Sequence, residues 1–487
     1  MDSTKQSEMR RKRQKLEDKE RAGNTQEVGN NSEEEKKADD TGEEADDYDV
    51  IIVGAGAAGI GMAVALKAAY VDSSKVLVLE KGPSIGTSFR SWHKFTRFIS
   101  PSWPSTPYGV QDLNSVFPDT TIGGGSQHPT GDEYADYLED IAKGFPINLR
   151  FRSKVTKIEH HDDDSDDKNQ FSVHVDGRES PYTSLCVVWC GGEWSNPTSF
   201  PNDVHDGCDF QDNCTVHYKN FDIDEIEHSS NVGNDNESVI VVGYGEAGAD
   251  TAVALAERGI SVVIVDGKNP DAPPSKDPSC RLSPKSTTEL SRYRDKITIL
   301  QGHVCVGVAS SPVETHPKPS TPRIEVTLAD CQTGEVTKKL TTRSKVVLCT
   351  GFDISKDPVI KDLFHWRDDG YPEVTMDCDE STKTPNLFLS GPMLRHTIDS
   401  CSVDNGCQTA VFCFVYKFRT RFVIIASEIV YRIIHERYAE AMDASGNVSL
   451  SREGQMWGAS IESVREHYKS KGMMLSEITE ACGNCGG

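Results

Sequence analysis

Residues 48–61 read YDVIIVGAGAAGIG, and this stretch constrains the fold of the chain more than any other. An apolar run, residues 50–53, leads directly into a G-x-G-x-x-G turn, and an alanine-rich segment of strong helix formers follows. This order predicts a strand, a tight turn and a helix. In such a turn Gly54 lets the strand turn sharply, Gly56 allows a pyrophosphate to approach the backbone, and Gly59 lets the helix pack closely. The helix N-terminus would present free N–H groups to the phosphates.

The segment after the helix supports a dinucleotide site at this turn. Residues 75–79 form a second apolar strand, which ends at Glu80. A carboxylate at this spacing accepts hydrogen bonds from ribose hydroxyls in dinucleotide-binding folds. We therefore predict that the first glycine turn and Glu80 together bind a dinucleotide.

The same pattern recurs in the middle of the chain. An apolar strand ends at Gly243, the turn continues through Gly245 and Gly248, a helix follows, and a second strand closes at Asp266. One such motif is weak evidence, but two complete strand–turn–helix–strand–acid units are a strong signal. They are too far apart for one nucleotide fold, so the sequence predicts two dinucleotide sites.

Composition excludes several classes of protein. The chain has 487 residues and a formal net charge of −24, which argues against broad nucleic-acid binding because a phosphate backbone attracts a basic surface. Fourteen cysteines in a chain of this length do not indicate a disulfide scaffold, so we expect free thiols in a reducing, cytoplasmic compartment. The longest apolar stretch, residues 411–434, is interrupted by charged residues, and we predict no transmembrane segment.

The first 47 residues have no aromatic residue and are rich in charged and polar residues, which predicts disorder. They contain the basic run Arg10–Lys15, for which two interpretations stay open. It is either a nuclear-import signal or a solvated basic run beside the acidic stretch that follows.

Five segments together resemble the two-dinucleotide flavoproteins. They are GAGAAG at 54–59, GTSFRSW at 86–92, GYGEAG at 243–248, CTGF at 349–352 and NLFLSGP at 386–392. The chain is similar to FAD- and NAD(P)H-dependent oxidoreductases that include flavin-containing monooxygenases, Baeyer–Villiger monooxygenases and thioredoxin reductases. The resemblance implies an α/β fold, in which an FAD-binding Rossmann-like domain contains an inserted NAD(P)-binding Rossmann-like domain.

The resemblance also implies domain boundaries. The FAD-binding domain would comprise residues 48–196 and 346–440, around a linker and NAD(P)-binding domain at 197–345. A long helix beginning near Asp404 would direct its N-terminus towards the flavin. A polar tail, residues 441–487, would follow.

In this family the first unit binds FAD, and the second binds NADPH or NADH. Carried over by position, the cofactor-binding residues would be Gly54, Gly56, Ala57, Ala58, Gly59, Glu80, Lys81, Arg90, Trp92, Val155, Gly191, Gly243, Gly245, Glu246, Gly248, Asp266, Gly351 and Gly391. The candidate catalytic residues are Arg90, Trp92 and His217, and no metal site is predicted.

Two departures from the family pattern bear on the chemistry, and Asp266 bears on the choice of nucleotide. The monooxygenase fingerprint around His217 lacks its glycine, and Gly391 is followed by Pro392 where the family has an aspartate. Asp266 would repel a 2′-phosphate and therefore suits NADH. His128 and His396 are further candidates for proton carriers, although a structural role is more common for a lone histidine.

Three functions stay open on the sequence. The first is an oxidoreductase that uses dioxygen to oxygenate a small-molecule substrate. The second is a disulfide reductase that uses the terminal pair Cys482 and Cys485, because a C-x-x-C pair can cycle between dithiol and disulfide. The third is a dinucleotide-binding regulator without turnover. The oligomeric state is also open, with a homodimer as one possibility.

Overall fold

The computed structural model describes residues 47–103, 111–117, 120–122, 126–161, 170–198, 200, 210–230, 238–272, 281–310, 323–398 and 408–438. All of them belong to one compact body. The basic run Arg10–Lys15 and the terminal cysteines Cys482 and Cys485 lie outside the described residues.

Seventeen strands and eight α-helices are present among the described residues. The strands are β1 (Asp47–Val53), β2 (Val76–Leu79), β3 (Leu149–Arg150), β4 (Val155–His160), β5 (Phe171–Val175), β6 (Tyr182–Trp189), β7 (Thr215–His217), β8 (Val239–Val242), β9 (Val262–Asp266), β10 (Ile297–Gln301), β11 (His303–Ser310), β12 (Ile324–Asp330), β13 (Val336–Thr342), β14 (Val346–Leu348), β15 (Leu387–Leu389), β16 (Arg395–Ile398) and β17 (Gln408–Val411). The helices are α1 (Ala57–Ala68), α2 (Thr87–Arg90), α3 (Gly131–Gly144), α4 (Ile223–Ser230), α5 (Glu246–Glu257), α6 (Pro284–Arg292), α7 (Val415–Phe418) and α8 (Phe422–Tyr438).

The first sheet has the strand order β3-β2-β1-β6-β5-β4, with β15 also paired to β6. Strands β1, β2, β3, β6 and β15 are parallel to one another, whereas β5 is antiparallel to both β6 and β4. Residues 50–53 of β1 and all of β2 are apolar and buried, and helix α1 packs against both strands. This arrangement brings β15, from near the end of the chain, beside β6 from the first half.

The second sheet is entirely parallel, with the order β10-β9-β8-β14-β7. Its two faces are buried differently, because side chains alternate along each strand. Val239 and Val241 pack with helix α5 in one core cluster. Ile240 and Val242 pack with β11 and β12 of the antiparallel sheet β11-β12-β13 in another. The part of the chain built on this sheet, which we call the second unit, is therefore a three-layer structure, as expected for a nucleotide-binding domain. We call the part built on the first sheet the first unit.

Two sequence expectations differ from the structure. Strand β14 lies in the second sheet, between β8 and β7, although the predicted boundary assigned residue 346 onward to the FAD-binding domain. The return to the first unit therefore comes after this strand, because a short apolar strand does not reveal which sheet it joins. The predicted long helix from Asp404 was also wrong in its start, since residues 408–411 form strand β17 and the helical region begins at Val415.

Helix α8 contains much of the apolar stretch at 411–434 and packs against α1. Within the described residues, no helix is long and apolar enough to cross a membrane.

Candidate active site between two glycine turns

The first glycine turn connects β1 to α1 at the carboxyl edge of the first sheet. Gly54 has φ +102°, and a β-carbon on it would lie 2.7 Å from the carbonyl oxygen of Cys190. A β-carbon on Gly59 would lie 1.8 Å from the carbonyl oxygen of Gly54. By contrast, nothing lies within 4 Å of a β-carbon built on Gly56. At Gly54 and Gly59 the protein's own backbone leaves no room for a side chain, whereas Gly56 faces open space.

That open space suits a cofactor phosphate. Gly56 immediately precedes α1, whose first N–H groups, including those of Ala57 and Ala58, have no partner within the helix. The N-terminal end of a helix attracts negative charge. The residues present therefore fit a dinucleotide pyrophosphate at this turn.

Glu80 is buried at the end of β2 and holds the turn in place. Its Oε2 accepts a hydrogen bond of 2.8 Å from the backbone N–H of Ala55, and its Oε1 accepts one of 2.7 Å from the N–H of Gly82. Each carboxylate oxygen can accept a further hydrogen bond, so these contacts leave capacity for a ribose hydroxyl. The Lys81 ammonium, next in sequence, hydrogen-bonds the Ser195 hydroxyl.

Two other predicted FAD contacts, Gly391 and Gly191, border the first turn. Gly391 has φ +116°, and a β-carbon on it would lie 3.1 Å from the β-carbon of Ala58 at the start of α1. A β-carbon on Gly191 would lie 2.6 Å from the indole ring of Trp189. Val155 begins β4, at the far side of the same sheet. The ends of β1, β6 and β15 thus meet at one place.

The second glycine turn repeats this geometry. Gly243 has φ +111°, and a β-carbon on it would lie 2.3 Å from the carbonyl oxygen of Cys349. A β-carbon on Gly248 would lie 2.0 Å from the carbonyl oxygen of Gly243, whereas one on Gly245 would meet nothing within 4 Å. The second turn therefore fits a dinucleotide for the same reasons as the first.

Two acidic residues border the second turn. Glu246, the first residue of α5, accepts hydrogen bonds from the backbone N–H of Ser283 and from the hydroxyls of Ser283 and Ser286. Its carboxylate thus ties α5 to α6. Asp266 is buried at the end of β9, where its Oδ1 accepts a 3.1 Å hydrogen bond from the N–H of Lys268.

The structure turns Arg90 towards α3. Its guanidinium contacts the carboxylates of Asp136 at 2.8 Å and Glu139 at 2.7 Å, with Asp132 at 3.8 Å. Its pKa is raised despite partial burial, because these carboxylates favour the charged form. Arg90 thus joins α2 to α3, and its expected catalytic and cofactor-binding roles stay predictions.

His217 is likewise held on both ring nitrogens. Its Nε2 lies 2.9 Å from the carbonyl oxygen of Gly351, and its Nδ1 accepts a 3.1 Å hydrogen bond from the N–H of Lys219. These partners require the neutral tautomer with a proton on Nε2. Burial lowers the pKa of His217, which agrees with a neutral ring. His217 thus connects the ends of β7 and β14, and its role as a catalytic residue stays a prediction.

An aromatic cluster lies where the two units meet. Trp92 is 6.5 Å from Trp194, which is 5.1 Å from Phe352 and 6.2 Å from Tyr218, as measured between ring centroids. The ammonium of Lys219 lies 5.9 Å from the Trp194 ring. The Trp194 indole nitrogen is buried and has no hydrogen-bond partner among the described residues.

Of this cluster, sequence analysis had identified Trp92 alone. A signal was available for two others, because Trp194 and Phe352 each follow a strand that ends in cysteine and packs on a glycine turn. Phe352 stands three residues after Cys349 in the CTGF segment, and Trp194 stands four residues after Cys190.

The described cysteines near the turns are poor nucleophiles. Cys190 is buried, and burial raises the pKa of its thiol. Burial also raises the pKa of the Cys349 thiol, to about 12. A thiol must ionise to attack a disulfide, so neither is suited to thiol–disulfide exchange. No group of potential metal ligands occurs within the described ranges.

The two further candidates for proton carriers, His128 and His396, both have contacts within the protein. His128 Nδ1 lies 2.7 Å from the carbonyl oxygen of Phe98. His396 is buried, with its Nε2 2.8 Å from Oδ1 of Asp379. The same carboxylate accepts hydrogen bonds of 2.8 and 2.9 Å from the buried guanidinium of Arg421, at the start of α8.

A family model described as pyridine nucleotide-disulphide oxidoreductase matches residues 51–391, more than half of the chain. Among curated proteins, the chain is 27% identical over 226 residues to an uncharacterized oxidoreductase CzcO of Bacillus velezensis, covering 45% of this chain and 55% of that protein. It is 26% identical over 217 residues to a CzcO-like oxidoreductase of Geobacillus kaustophilus, covering 43% and 51%. The chain thus spans about half the length of these relatives.

Solved structures share the fold over a longer range. A bacillithiol disulfide reductase from Staphylococcus aureus has a TM-score of 0.53 at 15% identity, covering 80% of this chain and 99% of that one. A flavin-containing monooxygenase from Stenotrophomonas maltophilia has a TM-score of 0.54 at 14% identity, covering 79% and 99%. These matches confirm the predicted two-domain α/β fold. Together with the family match, they bear out FAD and NAD(P)H as the cofactors.

Proposed function

Since the chain belongs to the pyridine nucleotide-disulphide oxidoreductase family, we propose that it oxidises NAD(P)H through FAD and uses the electrons to oxygenate a small-molecule substrate. The observation that carries the oxidoreductase part is the repeated glycine turn. Gly56 and Gly245 each face open space at the start of a helix, at the carboxyl edge of a parallel sheet. Ligands of such sheets bind at that edge.

The first turn, with Glu80 and the strand ends at Gly191 and Gly391, would hold FAD. The second turn would hold the nicotinamide dinucleotide, with its adenosine end towards Asp266. The chemistry that FAD supplies when bound is acceptance of a hydride from the nicotinamide and onward transfer of two electrons. The protein's part is to hold both molecules in the orientation that hydride transfer requires and to exclude water.

The aromatic cluster is suited to excluding water from the reacting groups. Trp92, Trp194 and Phe352 supply apolar surface between the two units. The unpaired indole N–H of Trp194 provides a hydrogen-bond donor there. We place the reacting groups beside this cluster, because the carboxyl edges that bear the two glycine turns border it.

We choose dioxygen over a disulfide as the electron acceptor because the described thiols beside the two turns do not ionise readily. A disulfide reductase requires an ionisable thiol close to the reacting centre. Cys190 and Cys349 stand beside the two turns, and burial raises the pKa of both. Oxygenation of a small nucleophile requires no thiol.

Disulfide reduction through Cys482 and Cys485 is the second candidate. The terminal C-x-x-C pair and the likeness to a bacillithiol disulfide reductase favour it. Deleting residues 480–487 separates the two candidates. Under the proposal, the truncated holoprotein still oxygenates amines, sulfides or ketones in an NAD(P)H-dependent screen. Loss of disulfide reduction on truncation, with no oxygenated product from the full chain, would establish the second candidate instead.

We further propose NADH as the preferred reductant. Asp266 is buried at the end of β9. A carboxylate there accepts hydrogen bonds from ribose hydroxyls and repels a 2′-phosphate. The test compares the dissociation constants of NADH and NADPH for the holoprotein. Tighter binding of NADPH would overturn the preference.

A further inference from the structure

A short segment of the first unit, residues 92–98, contacts the second unit directly. It leaves α2 and crosses to Tyr218, the first residue of a 3-10 turn that follows β7. We call this segment the clasp. Apart from Trp92, none of its residues is among those assigned above to a nucleotide or to catalysis.

Two hydrogen bonds join the clasp to the same residue of the second unit. His93 Nε2 lies 2.6 Å from the carbonyl oxygen of Tyr218. Because a carbonyl only accepts, this nitrogen carries the proton. The hydroxyls of Thr96 and Tyr218 lie 2.6 Å apart and share a second hydrogen bond.

Ring contacts pack around these partly buried polar groups. The His93 ring stacks on Phe95 at 4.9 Å and meets the rings of Tyr218 at 4.9 Å and Phe221 at 6.3 Å edge to face. Phe95 itself packs against the helix-side core of the second unit. The clasp thus contributes the apolar side chain of Phe95 to the core of the second unit.

The other end of the clasp is fixed to the first unit. Trp92 packs on Phe89 at 5.2 Å and on Phe98 at 5.1 Å. Phe98 lies 4.3 Å from Tyr134 of α3, and its N–H donates a 2.9 Å hydrogen bond to Pro129. Movement of the second unit would therefore have to break contacts of defined geometry.

The covalent connections alone would not prevent such movement. The chain passes between the units at residues 190–198 and again at 349–353, and these passages pair with each other. Thr198 N–H donates to Gly351 at 3.0 Å, and Asp353 N–H donates to Asn196 at 2.8 Å. These two paired segments form one narrow connection, about which the two units can rotate. The clasp is a second attachment beside it.

We propose that His93 and Thr96, through Tyr218, are positioning residues that fix one orientation of the two nucleotide-binding units, so that hydride transfer requires no rotation of one unit against the other. The electron-transfer part of this inference rests on the proposed function. The orientation part does not. A displacement of about 1 Å between reacting groups can cost about 10²-fold in rate, which is why a fixed orientation matters.

The test uses the full-length holoprotein and three substitutions. His93→Ala removes the ring contacts and the bond to Tyr218. His93→Gln keeps a donor that reaches the same carbonyl, and Thr96→Val removes the second hydrogen bond. His365→Ala is the control, because this exposed histidine of the first unit bonds Thr382 and lies outside the clasp.

Amide hydrogen exchange reports the orientation without any turnover. In His93→Ala we expect faster exchange at Thr198 and Asp353, whose N–H groups bridge the two passages. Anaerobic stopped-flow with NADH reports the consequence. We expect the limiting rate of flavin reduction to fall at least about tenfold, while the dissociation constant for NADH changes less than about threefold. Thr96→Val should show a smaller effect, and His93→Gln should recover most of the rate.

Unchanged exchange at Thr198 and Asp353 in His93→Ala would overturn the inference. So would faster exchange with an unchanged reduction rate, because orientation would then not limit transfer. If NADH and NADPH both fail to reduce even the unsubstituted protein, the proposed function fails. Hydrogen exchange still decides whether the clasp fixes the orientation.

Discussion

The carbonyl oxygen of Cys349 lies so close to Gly243 that a β-carbon on this glycine would come within 2.3 Å of it. Cys190 and Gly54 have the same relationship in the first unit, at 2.7 Å. In both units the cysteine follows a strand parallel to the one that precedes the turn. The backbone N–H of each cysteine also donates to that neighbouring strand, at Val53 or Val242. The two dinucleotide sites are therefore built on one structural plan.

This plan predicts different effects for neighbouring glycines. Gly59→Ala should destabilise the fold, by about 1–3 kcal/mol or more, because its β-carbon meets backbone of Gly54 that cannot move easily. Gly56→Ala should leave the unfolding free energy within about 0.5 kcal/mol and weaken FAD binding, since its β-carbon enters the open space. Thermal unfolding of the apoprotein and FAD titration measure the two effects separately. Equal FAD affinity in Gly56→Ala and the unsubstituted protein would contradict the assigned site.

Substitution of Arg90 should act through α3 and not through the flavin. Its carboxylate partners are substantially exposed, so Arg90→Ala should lower the unfolding free energy by no more than about 1 kcal/mol. Glu139→Gln is the matched substitution, and it should lower the unfolding free energy by less than Arg90→Ala does. The flavin absorbance spectrum should be the same in both. A spectral shift in Arg90→Ala that is absent from Glu139→Gln would restore a direct role beside the cofactor.

Loss of His217 should alter stability and its dependence on pH. In His217→Gln we expect about 1 kcal/mol lower stability at neutral pH, because the hydrogen bonds with Gly351 and Lys219 are disturbed. The folded state lowers the pKa of this histidine below 6.5, so it binds the proton less readily than the unfolded chain. The unsubstituted protein therefore loses stability as pH falls below about 6.5, and the variant should lack that part of the loss.

Denaturant unfolding at several pH values measures this effect. The pH dependence of flavin reduction supplies the contrast. If His217 were the proton carrier, the variant would lose an inflection in that profile. We expect the same profile in the variant and the unsubstituted protein.

The buried carboxylate of Asp379 should be among the most sensitive positions in the first unit. Its side chain is 0% exposed and is shared by His396 and Arg421. Asp379→Asn would leave the Arg421 charge buried without its counter-charge, which typically costs about 3–5 kcal/mol. Asp369→Asn, an exposed partner of Arg367, should change stability by less than about 1 kcal/mol. Similar unfolding midpoints for the two variants would contradict this account.

Local features of the chain could be predicted from the sequence because local residues determine them. The strand–glycine turn–helix units are such features, since Gly54 and Gly59 contact each other across one turn. The roles of Arg90 and His217 could not be predicted in the same way. Their partners, Glu139 and Gly351, are distant in sequence, and only tertiary packing brings them together. Strand β14 joined the second sheet for the same reason.

The most direct test of the central claim is an anaerobic titration of the FAD-loaded protein with NADH and, separately, with NADPH. The account predicts that the absorbance of oxidised flavin disappears with one equivalent of the preferred nucleotide and returns when oxygen is admitted. Retention of bound FAD without any reduction by an excess of either nucleotide would contradict it. The protein would then be a dinucleotide-binding regulator without turnover.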